Sequence, residues 1–202
     1  MKGILYVLLF LLASPCFAQE LDDPLDAAPP QIIVQTGIGF QWFNEIYRLS
    51  TLSVERPMGH FWQTGLHSSF YFDHNPDYYV LREFSTGFDI GVFAKYFMHG
   101  RFSGRKSGLY WGPELRFGSR RTQFYEGNVF PLPPNPIYNS YKLRTTKFLL
   151  RWGVQWKFNH AILDLSAPFG METSKSNAPG SFYQHNETQF VLLPTLQLGY
   201  AF

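Results

Sequence analysis

The feature that most constrains this chain is a two-residue alternation that returns eight times between Gln31 and Phe202. In each return one parity carries large apolar or aromatic side chains, and the other carries glycine, small polar residues or charge. Two residues is the period of a β-strand, whose successive side chains point to opposite faces. Strand one runs from Gln31 to Trp42, with Ile32, Val34, Ile38, Phe40 and Trp42 on one face and Gln35, Gly37, Gly39 and Gln41 on the other. The others are expected over Leu49 to Pro57, Phe61 to Phe72, Phe84 to Met98, Leu109 to Thr122, Thr145 to Phe158, Ile162 to Glu172 and Gln189 to Phe202. Pro113, Pro168 and Pro194 each remove a ladder donor, which predicts bulges or local strand ends.

The direction of the alternation separates two kinds of barrel. The interior of an eight-stranded barrel is only just wide enough for side chains to fill. The small and polar parity fits that space; the apolar parity therefore faces outward. All five tryptophans, Trp42, Trp62, Trp111, Trp152 and Trp156, fall on the apolar parity. A lipocalin-like soluble barrel would need the pattern inverted. Aromatic residues make up 19% of the chain, yet mean hydropathy is only −0.16. That combination suits a wall whose two faces meet different media. Following the chain up and down, Trp62, Tyr96, Trp111, Trp156, Tyr200 and Phe202 come near one rim. Phe40, Trp42, Phe70, Phe72, Phe84, Phe117, Phe148 and Phe190 come near the other. Two aromatic belts are what the two interfaces of a bilayer select. The expected fold is all-β: an antiparallel up-and-down transmembrane β-barrel of eight strands. Closure satisfies the edges, because lipid offers no hydrogen bonds to a free strand.

The connectors alternate in length. Those after strands two, four and six are mostly short, while Asp73 to Glu83, Glu126 to Arg144 and Lys175 to Glu187 are longer; the first connector, Phe43 to Arg48, is short for that set. Short periplasmic turns and longer outside loops are the usual asymmetry of such barrels. Ahead of the strands, Lys2, the apolar run Ile4 to Ala13 and small residues up to Ala18 read as a signal peptide over 1–18. The single cysteine, Cys16, lies within it and follows a proline, which argues against lipoprotein processing. Residues 19–30, QELDDPLDAAPP, read as an acidic, proline-rich periplasmic tail, and 31–202 as the barrel. A formal charge of +2 gives no nucleic-acid footprint.

The inward parity gathers Glu55, Asp89, Glu114, Asp164 and Glu172 with Lys95, Arg116, Arg120, Lys147, Arg151 and Lys157. Buried charges must be paired, so these are expected to form an ion-pair network filling the lumen. His67 and Ser69 share a face at a spacing that lets a base reach a hydroxyl, the one candidate catalytic pair. No partner acid is identifiable for them, and their face is the lumen. His60, His99 and His160 stand at separate turns with no metal-ligand spacing, so no metal or other cofactor is expected. The longest loop, Glu126 to Arg144, offers prolines with Phe130, Ile137, Tyr138 and Tyr141, a candidate surface for a partner.

The signal peptide, the eight segments and the final Gly199-Tyr200-Ala201-Phe202 resemble the small OmpA/OmpX-type outer-membrane barrels. The resemblance covers nearly all of 31–202 and is architectural. It implies the outer membrane of a Gram-negative bacterium, with lipid and lipopolysaccharide as surroundings. It also implies recognition by the barrel-assembly machinery through Phe202, Tyr200, Leu198 and Leu196 of the last strand. Trp42, Trp62, Trp111, Trp152, Trp156, Tyr200 and Phe202 would be membrane-belt aromatics. The role expected is structural or interactive, through outer loops. The alternatives are a lipid A-modifying enzyme, since some small barrels carry a histidine and serine on one strand face, and a small pore.

Overall fold

The computed structural model describes residues 32–42, 47–59, 61–75, 83–98, 107–125, 138–176 and 186–202. The segments read as signal peptide and tail, and most of the Glu126 to Arg144 loop, lie outside these residues. The chain forms β1 (Ile33–Gln41), β2 (Tyr47–Met58), β3 (Trp62–Asn75), β4 (Glu83–Phe97), β5 (Ser107–Tyr125), β6 (Tyr138–Phe158), β7 (Ala161–Ser166), β8 (Phe169–Ser176), β9 (Asn186–Leu192) and β10 (Thr195–Ala201). All neighbours are antiparallel, and β1 pairs with both β2 and β10, which closes the sheet. β7 and β8 lie end to end against β6, and β9 and β10 lie end to end as the next strand. The ten segments are thus eight wall strands.

Pro168 and Pro194 make those two interruptions without a bulge. β6 meets β7 at Gly153↔Ser166 and β8 at Leu150↔Phe169, three residues on along each chain, so no residue is inserted. The prolines keep their carbonyls in the ladder: Leu193 N–H donates to Pro168 O at 2.8 Å, and Phe40 N–H donates to Pro194 O at 3.0 Å. Pro113 lies inside β5, where the ladder to β4 skips from Phe93↔Glu114 to Tyr96↔Trp111 in unchanged register. Of the two outcomes expected at the prolines, Pro168 and Pro194 give local strand ends and Pro113 a skipped ladder step, with no bulge at any of the three.

The register also fixes the tilt. Crossing the strands from Ile33 leads through Glu55, Gly65, Phe93, Glu114, Leu149 and Gly170 to Val191. Its neighbour Leu192 bridges Trp42, so one circuit climbs ten residues along β1. Eight strands with that stagger tilt by about 40° from the axis and enclose a barrel of roughly 8 Å radius.

The outward parity is a continuous apolar wall. Trp62 packs tilted against Tyr96 at 5.0 Å, and Tyr96 meets Trp111 edge to face at 6.0 Å, near the end with the short turns at Gly59 and Asn159. Tyr200 and Phe202 join this girdle, and Trp152 stands opposite Trp111, one step into the wall. Phe40, Trp42, Phe70, Phe72, Phe88, Phe117, Phe148 and Phe190 are exposed near the long-loop end. From the strand rise and tilt the two girdles lie about 20 Å apart along the axis. The side chain of Phe84 lies outside the described set.

Several boundaries differ from the alternation. Tyr138 to Arg144, read as loop, belong to β6, and β5 runs on to Tyr125. Above the bilayer both faces meet water, so the apolar alternation stops while the hydrogen-bonded ladder continues. β2 likewise begins at Tyr47 rather than Leu49.

Candidate functional site

The inner face of the barrel is where the sequence concentrates its chemistry. Ten charged side chains are buried there: Glu55, Asp89, Glu114, Asp164 and Glu172 against Lys95, Arg116, Arg120, Lys147 and Arg151. Five of each sign leave the described lumen electrically balanced. Lys157 is half-exposed at the short-turn mouth, outside this set.

They stack in three tiers. Nearest the short turns, Lys95 Nζ on β4 bridges Glu55 Oε1 of β2 at 2.8 Å and Asp164 Oδ2 of β7 at 2.7 Å. Tyr110 donates to Asp164 Oδ1 at 2.7 Å, and Gln63 and Ser53 donate to Glu55. In the middle, Glu114 holds two arginines: Arg116 Nε at 2.6 Å and Arg151 Nε at 2.8 Å. The Arg151 guanidinium also lies 4.4 Å from the centre of the Phe93 ring, a cation–π contact. Toward the long loops, Lys147 reaches Asp89 at 2.8 Å and Glu172 at 3.3 Å, and Arg120 pairs with Glu172 at 3.3 Å. Gln41 on β1 joins that tier by accepting from Lys147 and donating to Glu172, both at 3.1 Å.

Glycines on the same parity make room for this filling. A side-chain carbon at Gly118 would overlap the Asp89 carboxylate, and one at Gly153 would meet the Tyr110 hydroxyl. Apolar groups seal what the charges leave. Leu49, Tyr71, Leu149, Val191 and Leu193 cluster inside the long-loop half, and Ile33, Ile162 and Ala201 inside the opposite end.

His67 Nε2 and Ser69 Oγ lie 2.7 Å apart, both buried in the middle tier. Ser69 also accepts from Arg116 Nη1 at 3.1 Å. Glu114, which shares Arg116 with Ser69, is engaged by the two arginines, and His67 Nδ1 has no hydrogen-bond partner among the described residues. Among the described residues no acid orients this histidine as it would a catalytic base, and the barrel wall separates the pair from lipid. Of the turn histidines, His160 Nδ1 lies 3.0 Å from Ala201 O and its ring stacks on Tyr200 at 5.4 Å. His60 and His99 lie outside the described residues. No group of three metal-ligating side chains occurs among the described residues.

Sequence reasoning missed Tyr71 and Tyr110, whose hydroxyls donate to Asp89 and Asp164, and Phe93, on which Arg151 lies. Their parity was the available signal: Tyr71 is in phase with His67 and Ser69, and Tyr110 with Glu114.

A closed eight-stranded antiparallel wall, apolar outside and charge-filled inside, is the architecture of small transmembrane β-barrels. Among solved structures the chain is similar to a major outer membrane protein from Thermus thermophilus, with TM-score 0.55 and 13% identity, covering 87% of this chain and 100% of that one. It is also similar to Ail, the attachment invasion locus protein of Yersinia pestis, with TM-score 0.50 and 11% identity, covering 86% of this chain and 97% of that one. At these identities the likeness is one of fold. No protein-family model matches the chain, and no curated protein matches it by sequence.

Proposed function

We propose that this protein resides in the outer membrane of a Gram-negative bacterium as a closed barrel that anchors and presents its long-loop end outside the cell. Its role on this reading is structural or interactive, not transport. The observation that carries it is the lumen: ten buried charges paired in balance, with apolar clusters toward both ends. Such a core is filled by its own paired side chains, which favours a closed barrel over an open channel. The girdles and the short turns at Gly59 and Asn159 support placing that end in the periplasm. Assembly through the last strand, with Tyr200 and Phe202 in its girdle, belongs to the same proposal.

Planar-bilayer recordings of the refolded protein test it. The expected result is no steady unitary conductance for the wild type. Steady, reproducible channels would overturn the closed-barrel reading.

A further inference from the structure

Above the long-loop girdle, the outward face of three adjacent strands carries a tier of basic side chains. Arg121 on β5 stands directly opposite Lys142 on β6, and Arg144 on β6 directly opposite Lys175 on β8. All four side chains are exposed, and none is paired with a carboxylate among the described residues. Like charges placed directly across a ladder destabilise it unless something anionic lies between them. At the other end, Arg56 is the one lysine or arginine on the outward face among the described residues.

The approach to this tier repeats from strand to strand. Along the lipid-facing parity one reads Phe117, Ser119, Arg121 on β5; Phe148, Thr146, Arg144 on β6; and Met171, Thr173, Lys175 on β8. Each runs from apolar wall through one hydroxyl residue to a cation. By strand rise and tilt the cations lie roughly 10 Å above those apolar residues, within reach of a headgroup layer for long side chains. Directly below, β4, β5, β6, β8 and β9 enclose an apolar groove of about 850 Å³ in the outer wall, lined among others by Ala94, Pro113, Phe148, Leu150, Met171 and Phe190. Small Ala94 and ring-shaped Pro113 leave the wall thin where the larger side chains flank it.

We infer that this face is a binding site for a phosphorylated glycolipid of the outer leaflet, its phosphates on Arg121, Lys142, Arg144 and Lys175 and an acyl chain in the groove beneath. Two guanidinium groups offer fork-shaped donors to phosphate oxygens, and the ammonium groups add point charges. The vertical order of cation, hydroxyl and apolar groove matches the order of phosphate, sugar and chain in such a lipid. The inference rests on the outer-membrane orientation proposed above.

The test uses the full barrel refolded in detergent, titrated with bisphosphorylated lipid A, with chemically dephosphorylated lipid A and with a soluble sulfated polysaccharide. The wild type is expected to bind the bisphosphorylated form at least tenfold more tightly than the dephosphorylated one. The variant R121Q/K142Q/R144Q/K175Q should lose at least tenfold, while R56Q binds like wild type. Heat-modifiable migration reports whether each variant is folded, and the milder R144Q/K175Q, expected to lose severalfold, serves if the quadruple variant is not. Equal binding of both lipids, or unchanged binding by the folded variants, overturns the site. Equally tight binding of the polysaccharide makes it a general polyanion surface and overturns the lipid assignment. Labelling of Phe130→Cys on intact cells reports orientation separately, so failure of that reading is distinguishable from failure of the site.

Discussion

Replacing Glu114 with glutamine should be the most damaging single change of charge in the lumen. The carboxylate accepts from Arg116 at 2.6 Å and from Arg151 at 2.8 and 2.9 Å, with all three side chains buried. Glutamine keeps the shape but leaves two guanidinium groups without their counter-ion. Breaking a buried pair by removing one partner costs about 3–5 kcal/mol. With guanidinium slopes of roughly 2–6 kcal/mol per molar for small proteins, the unfolding midpoint should fall by about 1 M. Tryptophan fluorescence during guanidinium unfolding from lipid vesicles reads that midpoint. The triple variant E114L/R116M/R151M should recover most of the loss, since apolar groups of similar volume replace buried ion pairs at little cost. A fall no larger than that of the exposed-site variant Arg56→Gln would refute the reasoning. The middle tier would then be hydrated rather than sealed.

Other outcomes follow from the same geometry. Leu66→Arg places a cation midway up the outer wall and should cost about 2–4 kcal/mol, against about 0–1 for Ser119→Arg above the long-loop girdle; equal losses in vesicle unfolding would contradict the assigned bilayer position. Ser69→Ala removes the hydroxyl that meets both His67 and Arg116 and should cost about 1–3 kcal/mol. Lipid A acyl composition in cells expressing that variant should match wild type; a changed pattern would restore the enzymatic alternative.

Much of the wall was legible in the alternation, and the reason is physical. Inside the bilayer each residue meets either lipid or a crowded lumen, so parity sorts side chains strictly, as Trp62, Leu66 and Phe70 against Gln63, His67 and Ser69 illustrate. Which acid meets which base was not legible. Lys95 reaches Asp164 only because the ten-residue stagger brings β4 and β7 to the same height. Inward Tyr71, Phe93 and Tyr110 went unread because an aromatic on the polar parity breaks the pattern without announcing its partner. The basic tier was hidden differently: Lys142 and Arg144 sit where alternation lapses, so they read as loop although they lie on β6.

Four of the seven lumen ion pairs among the described residues join strands that are not neighbours in the wall. Lys95 ties β4 to β2 and β7, and Lys147 ties β6 to β4, β8 and, through Gln41, β1. A half-built sheet lying in lipid would therefore expose ammonium and carboxylate groups whose counterparts had not yet arrived. The last seam, β1 against β10, closes the ladder and holds β1 where Gln41 meets Lys147 and Glu172. A sheet that curls before it meets lipid avoids exposing those groups, so the interior favours entry into the bilayer as a closed cylinder over entry strand by strand.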